Sequence, residues 1–422
     1  MPPEAITRTI REDPSRKGLL YCGTETGLYV SLDDGANWSA WQLNLPVVPL
    51  YDLAIKGSDL IAATHGRSFW ILDDLTPLHQ LSDDARNANA YLFKPRDTTR
   101  MKVYEGYGSD MDNGTCYINA GPLTVAYRRI DLPYGLKGRK FLDAGQNPPD
   151  GVIVSYCLKD EPKDDITLTF LNDDGSEIRT FSSAEPPKVE DEDGPSEPRL
   201  VKTPGWHRFT WDMRLPDAEK IPGDKSAQSY LHGPVVVPGN YRVRLNVGDL
   251  TKEQSFTIAP DSRVSASASD LQAQFDLLVK IRDRVSDAHR AVNKVRTLRT
   301  QLDGWEKRLD AQQETIATAD TLLESVKSLK EKLNAVEDAL VQVKSESPLQ
   351  YPSRLNSKMA TLSAFVDNAD FAPTAQTQEA FEYLSEQIGN EVKQLDDIEA
   401  NDLARFNEAL RNANVAPVGT AM

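Results

Sequence analysis

Gly27-Leu28-Tyr29-Val30-Ser31-Leu32-Asp33-Asp34-Gly35-Ala36-Asn37-Trp38 reads as a β-strand that enters a tight turn and leaves toward a second strand. The turn has the grammar Ser-x-Asp-x-Gly-x-x-Trp, at Ser31, Asp33, Gly35 and Trp38. Each residue type has a physical job in it. Aspartate folds its carboxylate back onto turn N–H groups. Glycine takes a positive φ without a Cβ clash. Serine hydrogen-bonds locally across the turn. Tryptophan offers a large apolar face on the outgoing strand.

The stretch recurs. Sliding the chain by forty residues brings Tyr21-Cys22-Gly23-Thr24 onto Ile61-Ala62-Ala63-Thr64 and Leu28-Tyr29-Val30 onto Ser68-Phe69-Trp70. Leu32-Asp33-Asp34 falls on Leu72-Asp73-Asp74. Upstream, Ile6-Thr7-Arg8-Thr9-Ile10 corresponds to Tyr51-Asp52-Leu53-Ala54-Ile55. Each unit is strand, turn, strand, turn, strand. A period of roughly 40–45 residues with several strands per unit signals propeller blades. The second unit lacks the glycine and tryptophan of the turn, and the competing reading is two unrelated β-meanders.

The Ser31–Trp38 turn resembles the Asp-box of sialidase-like, or BNR-repeat, β-propellers, with Asn37 where threonine is usual. Thr64-His65-Gly66-Arg67 is similar to the motif that closes the last blade of many BNR-type and sortilin-like propellers. The first resemblance implies a structural role for Ser31, Asp33, Gly35 and Trp38. The second makes His65 and Arg67 candidate binding residues facing a channel. The alternative for Arg67 is a salt bridge to a neighbouring blade. Propellers need about four to eight blades, and two would leave open strand edges. The expected partners are therefore upstream propeller blades of the same or another chain.

A net charge of −16 repels phosphate backbones, which argues against nucleic acid and against anionic membranes. No apolar run approaches the roughly 18 residues of a membrane span, and no signal peptide is visible at the N-terminus. Cys22, Cys116 and Cys157 form no CxxC pair, so neither a zinc site nor a disulfide framework is expected. No cofactor or metal motif is read. Calcium at Glu190 to Asp193 lacks EF-hand spacing.

The expected architecture is multidomain β + α. Residues 1–78 are the terminal propeller blades. Residues 79–148 form an irregular connector. It has short strands near Met101–Tyr104 and Leu123–Tyr127, tyrosines 104, 107, 117 and 127 for packing or sugar stacking, and a glycosylation-type Asn113-Gly114-Thr115. Residues 149–260 read as an Ig-like or fibronectin-like β-sandwich, with a hairpin turn at Asn172-Asp173-Asp174-Gly175. His207 falls on one sheet face there, as a satisfied or surface histidine. Residues 268–413 read as an antiparallel helical bundle. Its first helix is capped near Ser269-Asp270 and reversed from Asp303-Gly304 to about Gln313, its second runs Ile316–Val343, and Pro348 and Pro352 follow. A third helix carries Leu355–Val366 and a fourth Phe381–Leu410.

In this order the segments resemble the C-terminal part of bacterial BNR-repeat glycosyl-hydrolase-like or sortilin-like propeller proteins. The resemblance implies a secreted or periplasmic protein with a carbohydrate or protein ligand. It implies glycoside hydrolysis by name, yet no acid–base pair is placed by it. Asp73 and Asp74 fall on the Asp-box turn of the first unit, and Asp52 stands alone. The leading expectation is an accessory, structural portion that is non-catalytic by itself. The alternative is part of an active glycoside hydrolase whose acid and base lie mostly upstream.

Overall fold

The computed structural model describes residues 1–102, 107–109, 114–120, 123–131, 137–145, 147–185, 197–224, 226–227, 231–311, 318–345 and 351–413. The chain mixes several antiparallel sheets with C-terminal helices. Contacts divide it into two compact units. One holds the sheets, and the other holds Met213–Pro238 together with the helices.

The first unit opens with an antiparallel sheet of β1 (Thr7–Glu12), β2 (Leu20–Thr24), β3 (Leu28–Ser31) and β4 (Ser39–Ala40), in that order. A second sheet follows from β5 (Leu50–Lys56), β6 (Asp59–Thr64) and β7 (Phe69–Leu72). The second repeats the first three strands of the first, and β4 has no counterpart in it. An extra residue bulges from β1 at Arg8 and from β5 at Tyr51. The Glu25 N–H donates to the Ile6 carbonyl at 3.0 Å, and the His65 N–H to the Pro49 carbonyl at 2.9 Å. Thr24 and Thr64 each give N–H and hydroxyl to one turn carbonyl, that of Gly27 and that of Ser68.

The repeat alignment therefore differs from the one expected. The turn closed by Thr64 is one residue longer than that closed by Thr24, so Leu28 corresponds to Phe69 and Val30 to Ile71. Matching the bulges sets Thr7 on Leu50, not Ile6 on Tyr51. Leu19, Tyr21, Leu28 and Val30 of the first sheet share one core with Leu50, Leu53, Leu60 and Ala62 of the second. Gly23 permits this approach, because a Cβ there would lie 2.9 Å from Leu50 Cβ and 3.0 Å from its carbonyl oxygen. Trp41 supplies the expected indole packing, stacked on Tyr21 at 6.1 Å. Trp38 precedes β4 and lies over the Gly35 turn instead.

Short helices α1 (Thr76–Gln80) and α2 (Asp83–Asn87) lead to β8 (Ala90–Leu92) and β9 (Thr98–Arg100). These two strands correct the reading of 79–148 as a connector. β8 pairs with β14 (Val152–Leu158), which also pairs with β17 (Gly205–Trp211). β9 joins the edge of a sheet ordered β16 (Glu177–Ser182), β15 (Thr167–Asn172), β18 (Gly239–Val247), β19 (Leu250–Pro260), β9. Strands of three residues are too short to display a period of two, so only their edge pairing identifies them. The two sheets meet through aromatic rings: Trp211 stacks on Phe170 at 4.3 Å, and Phe209 meets Phe181 at 4.7 Å. The same segment also carries its own sheet, β10 (Tyr107–Ser109), β11 (Cys116–Ala120), β12 (Leu123–Asp131) and β13 (Lys137–Phe141). The cysteines are free thiols, and Cys22 is fully buried.

The second unit is built on α3 (Ala268–Ala311), α4 (Ala319–Leu340), α5 (Leu355–Val366) and α6 (Ala375–Asp397). Ser267, rather than Ser269, caps α3: its hydroxyl accepts the Asp270 N–H at 3.2 Å, and its N–H donates to the Asp270 carboxylate at 2.9 Å. The helix runs through Gly304, where a reversal was expected. Glycine costs about 1 kcal/mol in a helix, and buried Leu302, Trp305 and Leu309 on either side hold that turn in place. Ile316, Pro348 and the end of the expected reversal at Gln313 lie outside the described residues. The fourth helix passes through a π segment (Ile398–Leu403) into α7 (Ala404–Asn412). The five-residue step between buried Ile398 and Leu403 matches that widened turn. Glu337 on α4, almost fully buried, takes Arg296 and Arg299 of α3 at 2.7 and 2.5 Å. Among the described residues no helix is long and apolar enough to cross a membrane.

Residues of 213–238 join this helical core through Ala218, Ile221, Ala227 and Leu231. A buried polar network fastens them. His289 gives Nδ1–H to the Glu219 carbonyl, and its Nε2 faces the Asn356 amide at 3.4 Å. Asn356 Nδ2 also reaches Asp224 at 3.3 Å and Ser226 at 3.2 Å. Burial holds the His289 imidazole below its usual pKa, against the smaller opposite pull of the Glu219 carbonyl and Asp224. The unfolded chain then binds the proton more readily. The contribution of His289 is complete above about pH 6.5 and is lost as pH falls below it. One proton sets a limiting slope of about 1.4 kcal/mol per pH unit. Urea midpoints measured from neutral to mildly acidic pH check this, and a His289→Gln variant with an equally steep fall would refute it.

Candidate functional site

The Ser31–Trp38 turn is a hydrogen-bond circuit. Ser31 Oγ donates to Asp33 Oδ1 at 2.9 Å and accepts the Gly35 N–H at 2.9 Å. Asp33 Oδ1 also accepts the Asn37 N–H at 2.8 Å. The Asn37 side chain donates to Asp33 Oδ2 at 2.7 Å, so the residue that departs from the usual threonine adds a bond to the turn. The Asn37 amide, its N–H and the Ser31 hydroxyl hold the Asp33 carboxyl below its ordinary value. Gly35 sits at φ 87°, where a side chain would be strained. The Ser31, Asp33 and Asn37 side chains are directed at the turn itself, while the Asp34 N–H donates to the Gly18 carbonyl at 2.9 Å.

His65 and Arg67 flank Gly66 in the turn between β6 and β7, with Gly66 and Ser68 both at positive φ. Both side chains are exposed. Arg67 makes no ion pair among the described residues, and its carbonyl accepts the Trp70 indole N–H at 3.0 Å. His65 does not stand beside Arg67 alone. Its ring meets Tyr51 edge-on, with centroids 5.0 Å apart. Arg8 lies over the Tyr51 ring, 5.5 Å from its centre, and is ion-paired with Glu25.

The bulges explain why these four meet. Arg8 and Tyr51 are the extra residues of β1 and β5, and Glu25 and His65 are the equivalent residues that follow Thr24 and Thr64. In each meander the bulged side chain reaches the turn residue, giving an exposed row Glu25–Arg8–Tyr51–His65 across two sheets. Bulges re-aim side chains in this way and are frequent beside binding sites. An aromatic face between a guanidinium and an imidazole suits a flat polar ligand. Arg8, Glu25 and Tyr51 were not singled out from the sequence, because the signal appears only after the repeats are aligned at the bulges.

Of the two carboxylates expected at the turn, Asp74 is occupied. Asp74 Oδ1 takes the Thr76 hydroxyl at 2.6 Å and its N–H at 3.2 Å. Asp59 takes Arg96 and the Asp74 N–H, each at 2.9 Å. Burial, then the nearby Asp59 carboxylate, pushes the Asp73 carboxyl above its usual value. Asp52 is exposed and ion-paired with Arg11. Of the connector tyrosines, Tyr127 is buried against Phe141 and Tyr117 is exposed. His207 is half-buried on β17, where it meets the Thr203 carbonyl and the Tyr156 ring. Tyr104, the Tyr107 side chain, Asn113 and the Glu190–Asp193 loop lie outside the described residues. Among the described residues no group of three or more His, Cys, Asp or Glu converges on a metal position. No protein-family model, no curated protein and no solved structure matches this chain.

Proposed function

We propose that this chain is an accessory, structural portion of a propeller protein of the BNR-repeat glycosyl-hydrolase-like or sortilin-like kind, and is non-catalytic by itself. One observation carries the reading. The two N-terminal meanders repeat each other over three strands with a bulge at the same place, and pack face to face in one core. That is how successive blades of a ring are related. In this reading the two-sheet aromatic core is an Ig-like spacer and the helices are a bundle that follows it. The ligand, a carbohydrate or a protein segment, lies along the Glu25–Arg8–Tyr51–His65 row.

A hydrolytic role needs a free acid and a free base or nucleophile at a set separation. Of Asp52, Asp73 and Asp74, the first and the last are each committed to a partner, which supports the accessory reading. The purified chain is expected to turn over no aryl glycoside. Measurable turnover that disappears in Asp52→Ala would overturn this function.

A further inference from the structure

The stacked meanders have two outer faces. The inner contact uses one face of the first sheet, carrying Tyr21, Gly23, Leu28 and Val30. Cross-strand partners share a face, and the repeat equivalence assigns Ile61, Ala63, Phe69 and Ile71 to the same face of the second sheet. There the face is bare: Phe69 is 71% and Ile71 59% exposed. The inner contact uses the opposite face of the second sheet, through Leu53, Leu60 and Ala62. Its equivalent on the first sheet is centred on Ile10, paired with Cys22. Ile10 is 49% exposed where its equivalent, Leu53, is 1% exposed.

One end of the stack thus presents the face that, between the two sheets, covers the kind of face presented at the other end. Such a pair of unlike faces makes a head-to-tail contact, which closes rings when the rotation permits. Both halves of the contact are on this one chain. Resting on the propeller reading above, we infer that a second copy of this chain docks its Ile10 face on the Phe69/Ile71 face, continuing the stack of meanders.

Light scattering on the full chain across a concentration series tests this. A mass of about two to four chains is expected, since rings take about four to eight blades. Ile71→Glu and Ile10→Glu each spoil one face, and each is expected to reduce the mass to that of one chain. Mixed in equal amounts, they are expected to recombine as a pair that grows no further, because each retains the face the other lost. A wild-type chain that stays single, variants that stay fully assembled, or single variants that fail to recombine overturn the inference. Melting temperatures separate the two levels. Unchanged values in both variants, with a single-chain wild type, remove self-association alone. A marked fall in both as single chains places Ile10 and Ile71 inside the fold and removes the stacked-meander reading as well.

Discussion

Replacing Asp13 by alanine lowers the stability of the sheet-rich unit by about 3–5 kcal/mol, the usual cost of removing one partner from a buried charged network. Asp13 is 3% exposed. Its Oδ2 accepts the Tyr21 hydroxyl at 2.9 Å and meets His79 Nε2 at 2.9 Å. Its Oδ1 accepts the N–H groups of Ser15 at 2.8 Å and Arg16 at 3.2 Å. Tyr21 is wholly buried in the core shared by the two meanders, so its hydroxyl has no water to turn to when the carboxylate is gone. The loop between β1 and β2 loses its anchor to α1 at the same time. Asp13→Asn keeps one acceptor oxygen and is expected to cost less, about 1–3 kcal/mol.

The pH dependence of the same site has a definite sign. Burial pushes the Asp13 carboxyl upward, but the Ser15 N–H, His79 and Tyr21 together outweigh it and leave it below the ordinary value. Its contribution is therefore present above about pH 3.9, the value in an unfolded chain, and is lost as pH falls through the lower folded value. Urea unfolding of wild type and Asp13→Ala, at neutral pH and in acid, reads both effects. A neutral-pH difference under about 0.5 kcal/mol, the scatter of ordinary surface substitutions, would show that the network does not bear on folding.

Trp211→Ala is expected to cost a further independent 3–5 kcal/mol or about that, the range for deleting a buried tryptophan. The ring is fully buried on β17, stacked on Phe170 of β15 at 4.3 Å, with the edges of Tyr241 and Phe256 at 6.3 and 6.5 Å. With Phe209, it joins the three-stranded sheet to the five-stranded one. Removal leaves a cavity walled by rings that cannot collapse without moving both sheets. Trp211→Phe retains the stack and should recover most of the loss. Denaturant unfolding followed by far-ultraviolet circular dichroism measures it. A loss below about 1 kcal/mol would mean that the sheets are not held together at this point.

The Ser31–Asn37 turn is the plainest case of what was legible beforehand. Its bonds join residues two and four apart, so residue type and spacing specify them without the rest of the fold. Asn37 extends the circuit within the same five-residue span. The candidate site is the contrary case. His65 is visible in its motif, but the partners that make it a site, Tyr51 and Arg8, depend on two bulges and on one sheet packing over another. The sequence alignment set Ile6 on Tyr51, two places from the bulge-matched Arg8, so the correspondence did not show.

By itself, then, the sequence determined whatever rests on neighbouring residues. That covers the Ser31–Asn37 turn, the hairpin turn at Asn172–Gly175, the long strands from β14 to β19, and the amphipathic stripes of the helices. Only the tertiary structure decided the rest. It recruited the three-residue β8 and β9 to sheet edges, and carried α3 through Gly304. It set Asp13 beneath Tyr21 and His79, gathered the Glu25–His65 row, and left Ile10, Phe69 and Ile71 uncovered. Those outcomes depend on strand register and on burial between segments far apart in the chain, where local propensity is overridden by the packing that surrounds it.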